Sequence, residues 1–188
     1  MKECIMLAAG LSSRMGDWKM LLPWQGSTAL DSALDNALAF CDRVILVTGF
    51  RAAELRQRYA GRSAIQLCHN ARYQAGMFSS VRCGVAALTG DRFFVVPGDM
   101  PAIDAAIYAQ LWRHQSCGCL LPSYAGRNGH PVLLPFALAA YIAAAPEESN
   151  LRALIRACGY TSVPVESQAI HWDIDTPEQY RQRVNAVC

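Results

Sequence analysis

Short apolar runs alternate with segments of helical period along most of the chain. Residues 3–8 (ECIMLA), 43–48 (RVILVT), 64–68 and 92–96 (RFFVV) are rich in β-branched, aromatic or aliphatic side chains. A polar, glycine- or proline-bearing loop separates most of them from segments at 29–40, 51–59, 76–88 and 103–114 whose apolar residues recur three and four apart. Strand-length runs of four to eight residues alternating with helices of about ten to fifteen specify βαβ units. Such units build a parallel sheet through right-handed crossovers, with helices on both faces.

Beyond residue 116 the pattern is less regular. Runs at 119–122 and 130–134, joined by the glycine-rich turn 124–129, predict a small antiparallel addition. Helices are expected at 136–144 and 149–158, short strands at 162–165 and 170–173, and a terminal helix at 177–187. No linker, charge block or internal repeat interrupts the chain. The expectation is one α/β domain over 1–188, Rossmann-like, with a mostly parallel sheet flanked by helices.

Composition narrows the function. With 53% hydrophobic and 17% charged residues the chain has the material for a core, which excludes a disordered or low-complexity protein. A net charge of +2 is far from the basic balance of a nucleic-acid binder. The longest apolar stretch, 132–145, contains Pro135 and falls short of the roughly 20 residues of a membrane span. Lys2 followed by the apolar run 4–11 mimics a secretion signal, but Glu3 interrupts it and the run is short. The eight cysteines include no C-x-x-C pair, and Cys117 and Cys119 around Gly118 make a poor zinc clip. Most of the others sit in apolar or helical patterns as small hydrophobes, so the expectation is a reduced, cytoplasmic protein.

In open parallel sheets ligands bind beyond the carboxyl ends of the strands. The first such loop spans Leu7, Ala8, Ala9, Gly10, Ser12, Arg14 and Lys19. Small residues let backbone amides approach phosphate oxygens, and two cations can balance a leaving pyrophosphate. Neither G-x-x-x-x-G-K-[ST] nor G-x-G-x-x-G is present. Asp99 directly follows the strand at 92–96, where a carboxylate can hold Mg²⁺ or simply fill a turn. Asp173 and Asp175, two apart on an expected strand, would share a face. Thr176, Pro177 and Gln179 also read as a helix start, leaving Asp175 open between a metal and a capping neighbourhood. Asn70 ends the third strand and Ser79 and Ser80 open the next helix, in position either to meet a base or ribose or to cap. Gly129 and His130 mark the second half, where the histidine contacts a ligand or fixes the turn before Pro131. His69, His114 and His171 form no ligand cluster by spacing, and the arginines at 51, 56, 58 and 62 read as a solvated face.

The string LAAGLSSRMGDWKMLLPW, taken with Asn70 to Val81, GDMP at 98–101, GHP at 129–131 and DIDTP at 173–177, resembles the nucleotidyltransferases that act on molybdopterin. The resemblance runs over essentially the whole chain, and the wider group includes sugar-phosphate and methylerythritol-phosphate nucleotidyltransferases. It implies a nucleotidyltransferase fold that transfers CMP from CTP to the terminal phosphate of molybdenum-molybdopterin, with pyrophosphate as the other product. It further implies Lys19 and Arg14 as catalytic, and Mg²⁺ on Asp99 and Asp175. The nucleotide is then expected on Leu7, Ala8, Ala9, Gly10, Ser12, Arg14, Lys19, Asn70, Ser80 and Asp99, in the half spanning about 1–101. The acceptor is expected on Gly129 and His130, in the half spanning about 102–188. The chain departs from the family in having Asn70-Ala71 for the frequent Asn-Pro, and Arg127-Asn128-Gly129-His130 for the common Arg-Gly-His. The preference for CTP rests on Ala9, where guanylyl-transferring relatives usually carry glycine. Alternatives are a transferase using GTP or another small-molecule acceptor, and a non-catalytic chaperone that hands the cofactor to a molybdenum hydroxylase. Partners are thus small molecules, with transient contact to such a hydroxylase or its accessory protein, and neither nucleic acid nor membrane.

Overall fold

The computed structural model describes residues 1–13 and 15–187; Arg14 and Cys188 lie outside the described residues. Strand β1 (Glu3–Ala8) leads through a folded loop to a two-stranded hairpin, β2 (Pro23–Trp24) and β3 (Ser27–Thr28). Then follow α1 (Ala29–Leu38), β4 (Arg43–Thr48), α2 (Ala52–Tyr59), β5 (Ile65–His69), α3 (Met77–Val85), β6 (Arg92–Pro97) and α4 (Ala105–Arg113). The second half adds β7 (Cys119–Tyr124), β8 (Arg127–Asn128), β9 (Val132–Pro135), α5 (Ala137–Ala144), α6 (Leu151–Cys158), β10 (Tyr160–Pro164) and α7 (Pro177–Val187). The main sheet has the order β10-β7-β9-β6-β1-β4-β5, with β8 attached to β7.

Every pair among β6, β1, β4 and β5 is parallel, as is β10 with β7. Against this direction β9 runs antiparallel to both β6 and β7, and β8 antiparallel to β7. The α/β fold and its antiparallel addition are those read from the hydrophobic pattern. A strand covered on both faces must be apolar throughout, and all six residues of β1 are buried. Cys4, Met6 and Ala8 join the core built with α1, α2 and α4, whereas Ile5 and Leu7 join the core under α3, α5 and α6.

The one charged residue in β1, Glu3, is fully buried. It forms an ion pair with Arg43 and accepts from the amides of Thr89 (2.9 Å) and Gly90 (2.6 Å), so the charge is hydrogen-bonded as burial demands. Burial alone would raise its pKa; these bonds outweigh it and hold the carboxyl below its usual range.

One expected element is corrected. Residues 170–173 are not a strand: a 3₁₀ turn, Gln168–His171, is followed by irregular chain. The backbone here is committed to turn and tertiary hydrogen bonds rather than to a strand ladder. Ser167 instead caps the turn through the amide of Ala169 (3.2 Å), and the carbonyl of the fully buried Ile170 accepts from His130 N (3.0 Å). The hairpin β2–β3 and the 3₁₀ turn Lys19–Leu21 were not expected. Among the described residues no helix is long and apolar enough to cross a membrane.

Candidate active site

The loop after β1 is folded back on itself by short-range bonds. Ser12 adopts a left-handed conformation (φ 56°), and its Oγ accepts from the amide of Lys19 at 3.2 Å. The indole of the buried Trp18 donates to the carbonyl of Gly10 at 3.3 Å, while the guanidinium of Arg51 lies over its ring at 4.7 Å. These contacts return Lys19 to the carboxyl edge of the sheet, where β6 ends. Gly98 fits there because a Cβ would come within 2.9 Å of Leu30 and 3.2 Å of the Leu7 carbonyl; its amide donates to that carbonyl at 2.9 Å.

At this edge the Lys19 ammonium is held between two carboxylates. It donates to Asp99 Oδ2 and, at 2.9 Å, to Asp175 Oδ1. Asp99 is almost fully buried, and its second oxygen, Oδ1, is buried without a hydrogen-bond partner. Burial pushes the Asp99 carboxyl above its ordinary range; Lys19 pulls it down, and Asp173 and Asp175 add to the rise. Burial opposes the charge on Lys19, but the two carboxylates outweigh it and raise its pKa. The Lys19 ammonium thus sits between two carboxylates, and the buried Oδ1 of Asp99 is an oxygen that could meet a further cation.

Asp173 and Asp175 do not share a strand face, because their segment is not a strand. Asp173 is half exposed and lies 3.6 Å from Arg183 Nη1, while Asp175 takes Lys19. Between them Ile174 is fully buried and its amide donates to the Asp99 carbonyl at 3.1 Å. Of the two readings of Asp175, the capping neighbourhood is present. Gln179 Oε1 accepts from the amides of Asp175 (3.0 Å) and Thr176 (3.1 Å), and Thr176 Oγ1 accepts from Gln179 N (3.3 Å), a capping box that fixes the backbone. The side chain of Asp175 remains in the site. Arg183, on the last helix, was not singled out by the sequence; its signal is only a cation one helical turn beyond Gln179.

The other predicted residues fall along the same edge in separate groups. Leu7, Ala8 and Ala9 are buried, so what they present there is main chain. Gly10 is exposed and a Cβ on it would meet nothing within 4 Å. Asn70 is buried just past β5 and donates from Nδ2 to Ser79 Oγ (2.8 Å) and Ser80 Oγ (3.0 Å), so the two hydroxyls sit close together as expected. At the mouth of β9, Gly129 is pressed against Ile170, whose carbonyl would lie 2.3 Å from a Cβ. Burial holds the His130 imidazole below its ordinary pKa, and its Nδ1 is buried without a hydrogen-bond partner. A polar cavity of about 460 Å³ is lined by Tyr124, Arg127, Gln168, Trp172, Asp173 and Arg183.

The oxygen-rich donor set around Asp99 suits a hard divalent cation rather than a thiophilic one. Among the described residues no three acidic, histidine or cysteine side chains converge to hold a metal alone. A divalent cation at this place would meet the carboxylates of Asp99 and Asp175 and need other ligands to complete its shell.

Comparison with known proteins agrees with this geometry. Residues 4–163 match the MobA-like NTP transferase domain family. The molybdenum cofactor cytidylyltransferase of Escherichia coli is 42% identical over 178 residues, covering 95% of this chain and 93% of that protein. A molybdenum cofactor guanylyltransferase of Xanthomonas euvesicatoria is 29% identical, covering 96% and 93%. A nucleotidyl transferase from Methanothermobacter shares the fold, with a TM-score of 0.84 at 23% identity over 99% of this chain and 97% of that one.

Proposed function

Because the chain belongs to the MobA-like NTP transferase family, we propose that it transfers CMP from CTP to the terminal phosphate of molybdenum-molybdopterin. The products are molybdopterin cytosine dinucleotide and pyrophosphate. The observation that carries the chemistry is the Lys19 ammonium held between Asp99 and Asp175 at the carboxyl edge of the sheet. The identity of 42% over nearly the whole chain with a cytidylyltransferase, against 29% with a guanylyltransferase, supports CTP as the donor.

The acceptor phosphate attacks the α-phosphorus of CTP; a new P–O bond forms there and the bond to the β-phosphate oxygen breaks. A phosphate monoester is largely ionised near neutral pH, with a second pKa of about 6, so no strong general base is required. Lys19 supplies fixed positive charge where the pyrophosphate leaves, and the Gly10 loop offers backbone amides to the phosphate oxygens. Open space over Gly10 leaves room for a phosphate group. Arg14, outside the described residues, belongs to the same loop and is proposed as its second cation. Asp99, with Asp175, would hold Mg²⁺, which when bound neutralises phosphate charge and orients the groups.

Asn70 and Ser80 are proposed to meet the cytidine, and Gly129 and His130 the acceptor. The nucleotide then lies on the half up to about residue 101 and the acceptor on the remainder. His130 is neutral at physiological pH, which suits a hydrogen bond more than a charge contact. A reducing, cytoplasmic setting and hand-over of product to a molybdenum hydroxylase there belong to the same proposal.

The test is pyrophosphate release from CTP and, separately, GTP, with Mg²⁺ and purified molybdenum cofactor. Turnover with CTP well above GTP is expected, and its loss on chelation of the metal. Preference for GTP would overturn the donor, and absence of turnover with tight cofactor binding would make the protein a carrier.

A further inference from the structure

Away from the Lys19 centre, two cysteines on different elements meet. Cys68 is the fourth residue of β5, the edge strand of the sheet, and Cys83 lies in α3. Their sulfurs are 2.8 Å apart, closer than ordinary non-bonded contact, and both residues are partly exposed. A disulfide needs about 2.05 Å between sulfurs, so closing the pair takes side-chain adjustment rather than rearrangement of the fold. Cys83 also lines an open cavity of about 350 Å³ together with Asn70, Ser79, Arg72, Arg82 and Glu147. A small reagent therefore has a route to the pair through a cavity whose lining includes Arg82 and the Arg72–Glu147 ion pair.

We propose that Cys68 and Cys83 form a reversible thiol–disulfide exchange site that takes a small-molecule disulfide of the oxidised glutathione class. The two sulfurs have unequal roles. The hydrogen bond between the two sulfurs favours a thiolate on Cys68, holding that thiol below the usual cysteine range despite partial burial. Cys68 is thus the attacking thiolate. It forms a bond to one glutathione sulfur; the glutathione S–S bond breaks, and the departing thiolate takes up the Cys68 proton. The Cys83 sulfur, losing its own proton, then attacks the Cys68 sulfur and expels the second glutathione as a thiol. Two protein thiols are oxidised and one glutathione disulfide is reduced to two thiols.

The bond would staple β5 to α3 on either side of the contacts from Asn70 to Ser79 and Ser80. Oxidation thus reports directly on the segment that ends the third strand. None of this depends on which nucleotide the enzyme uses.

The experiment treats the native protein with oxidised glutathione, alkylates the remaining thiols and maps the peptides without reduction. Expected is a Cys68–Cys83 linked peptide, loss of those two thiols only, and full return on adding dithiothreitol. In Cys83→Ser a glutathione adduct should remain at position 68. In Cys68→Ser, Cys83 should stay unmodified. Failure of the wild-type protein to yield the linked peptide while exposed Cys117 and Cys158 react would overturn the proposal. Equal adduct formation at Cys83 when Cys68 is absent would overturn the assignment of the attacking sulfur.

Discussion

Lys19 Nζ donates to Asp175 Oδ1 at 2.9 Å across 156 residues of chain. Each side chain reaches this point by its own local device. Ser12 and Trp18 fold the first loop so that Lys19 returns to the sheet edge, and the Thr176–Gln179 capping box fixes the backbone on which Asp175 stands. Asp99, rigid at the end of a buried strand, completes the group.

Lys19→Ala and Asp99→Ala should each lower kcat for CMP transfer by about a hundredfold or more, the usual cost of a lost contact to developing charge. Single-turnover pyrophosphate release measures it. Changes within threefold would place the charge neutralisation elsewhere.

Ala9→Gly should shift the ratio of kcat/KM for CTP over GTP toward GTP by about tenfold, the lower end of what one methyl group discriminates. Ala9 is buried, with its Cβ 2.9 Å from where a Cβ on Gly49 would sit. The effect must therefore pass through the backbone at the sheet edge. An unchanged ratio would move the choice of base to another position.

Gly129→Ala should destabilise the protein by about 1–3 kcal/mol, the range for an overpacked contact. The added methyl would meet the Ile170 carbonyl, which already accepts from His130. Gly118→Ala is the control, since its nearest neighbour, Ser116 Oγ, lies at an ordinary 3.6 Å. Urea unfolding of the two variants should separate them clearly.

Asp31 carries a structural prediction. Burial would raise its pKa, but Arg58, Thr28, Tyr59 and Ser27 all hydrogen-bond its carboxylate and together hold it well below the ordinary value of 3.8. A depressed carboxyl contributes stability that is present above its unfolded pKa and lost as pH falls through the folded one. Asp31→Asn should therefore cost about 1–3 kcal/mol near pH 7. The gap to wild type should narrow below pH 4, as read by chemical denaturation at a series of pH values.

Much of this fold could be read in the chain because parallel strands buried on both faces are apolar without interruption. β1 and β4 fall on the residues their runs predict, and β6 differs only by Pro97. The loop that opens at Leu7 and the aspartate at 99 were legible because small residues, cations and a carboxylate follow strands, whereas Asp175 was singled out through the resemblance carried by DIDTP at 173–177. What was not legible is tertiary in origin. The segment at 170–173 begins as a short strand would, but its backbone is taken up by a 3₁₀ turn and by the bond from His130 N to the Ile170 carbonyl. The burial of Glu3 depends on Arg43, Thr89 and Gly90, which no local pattern links to it. Arg183 meets Asp173 only because α7 folds back over the hairpin, with Tyr180 Oη donating to the Pro23 carbonyl at 2.6 Å.

The hydrogen bond from the Ile174 amide to the Asp99 carbonyl also bears on order in time. Chains emerge from the ribosome amino end first, and folding follows emergence. The β1–β6 part of the sheet can therefore assemble while the partner of Asp99 is still being synthesised. Lys19 and Asp99 can meet before Asp175 has been made. A nascent polypeptide that stops short of Asp175 thus holds the cradle without its clasp.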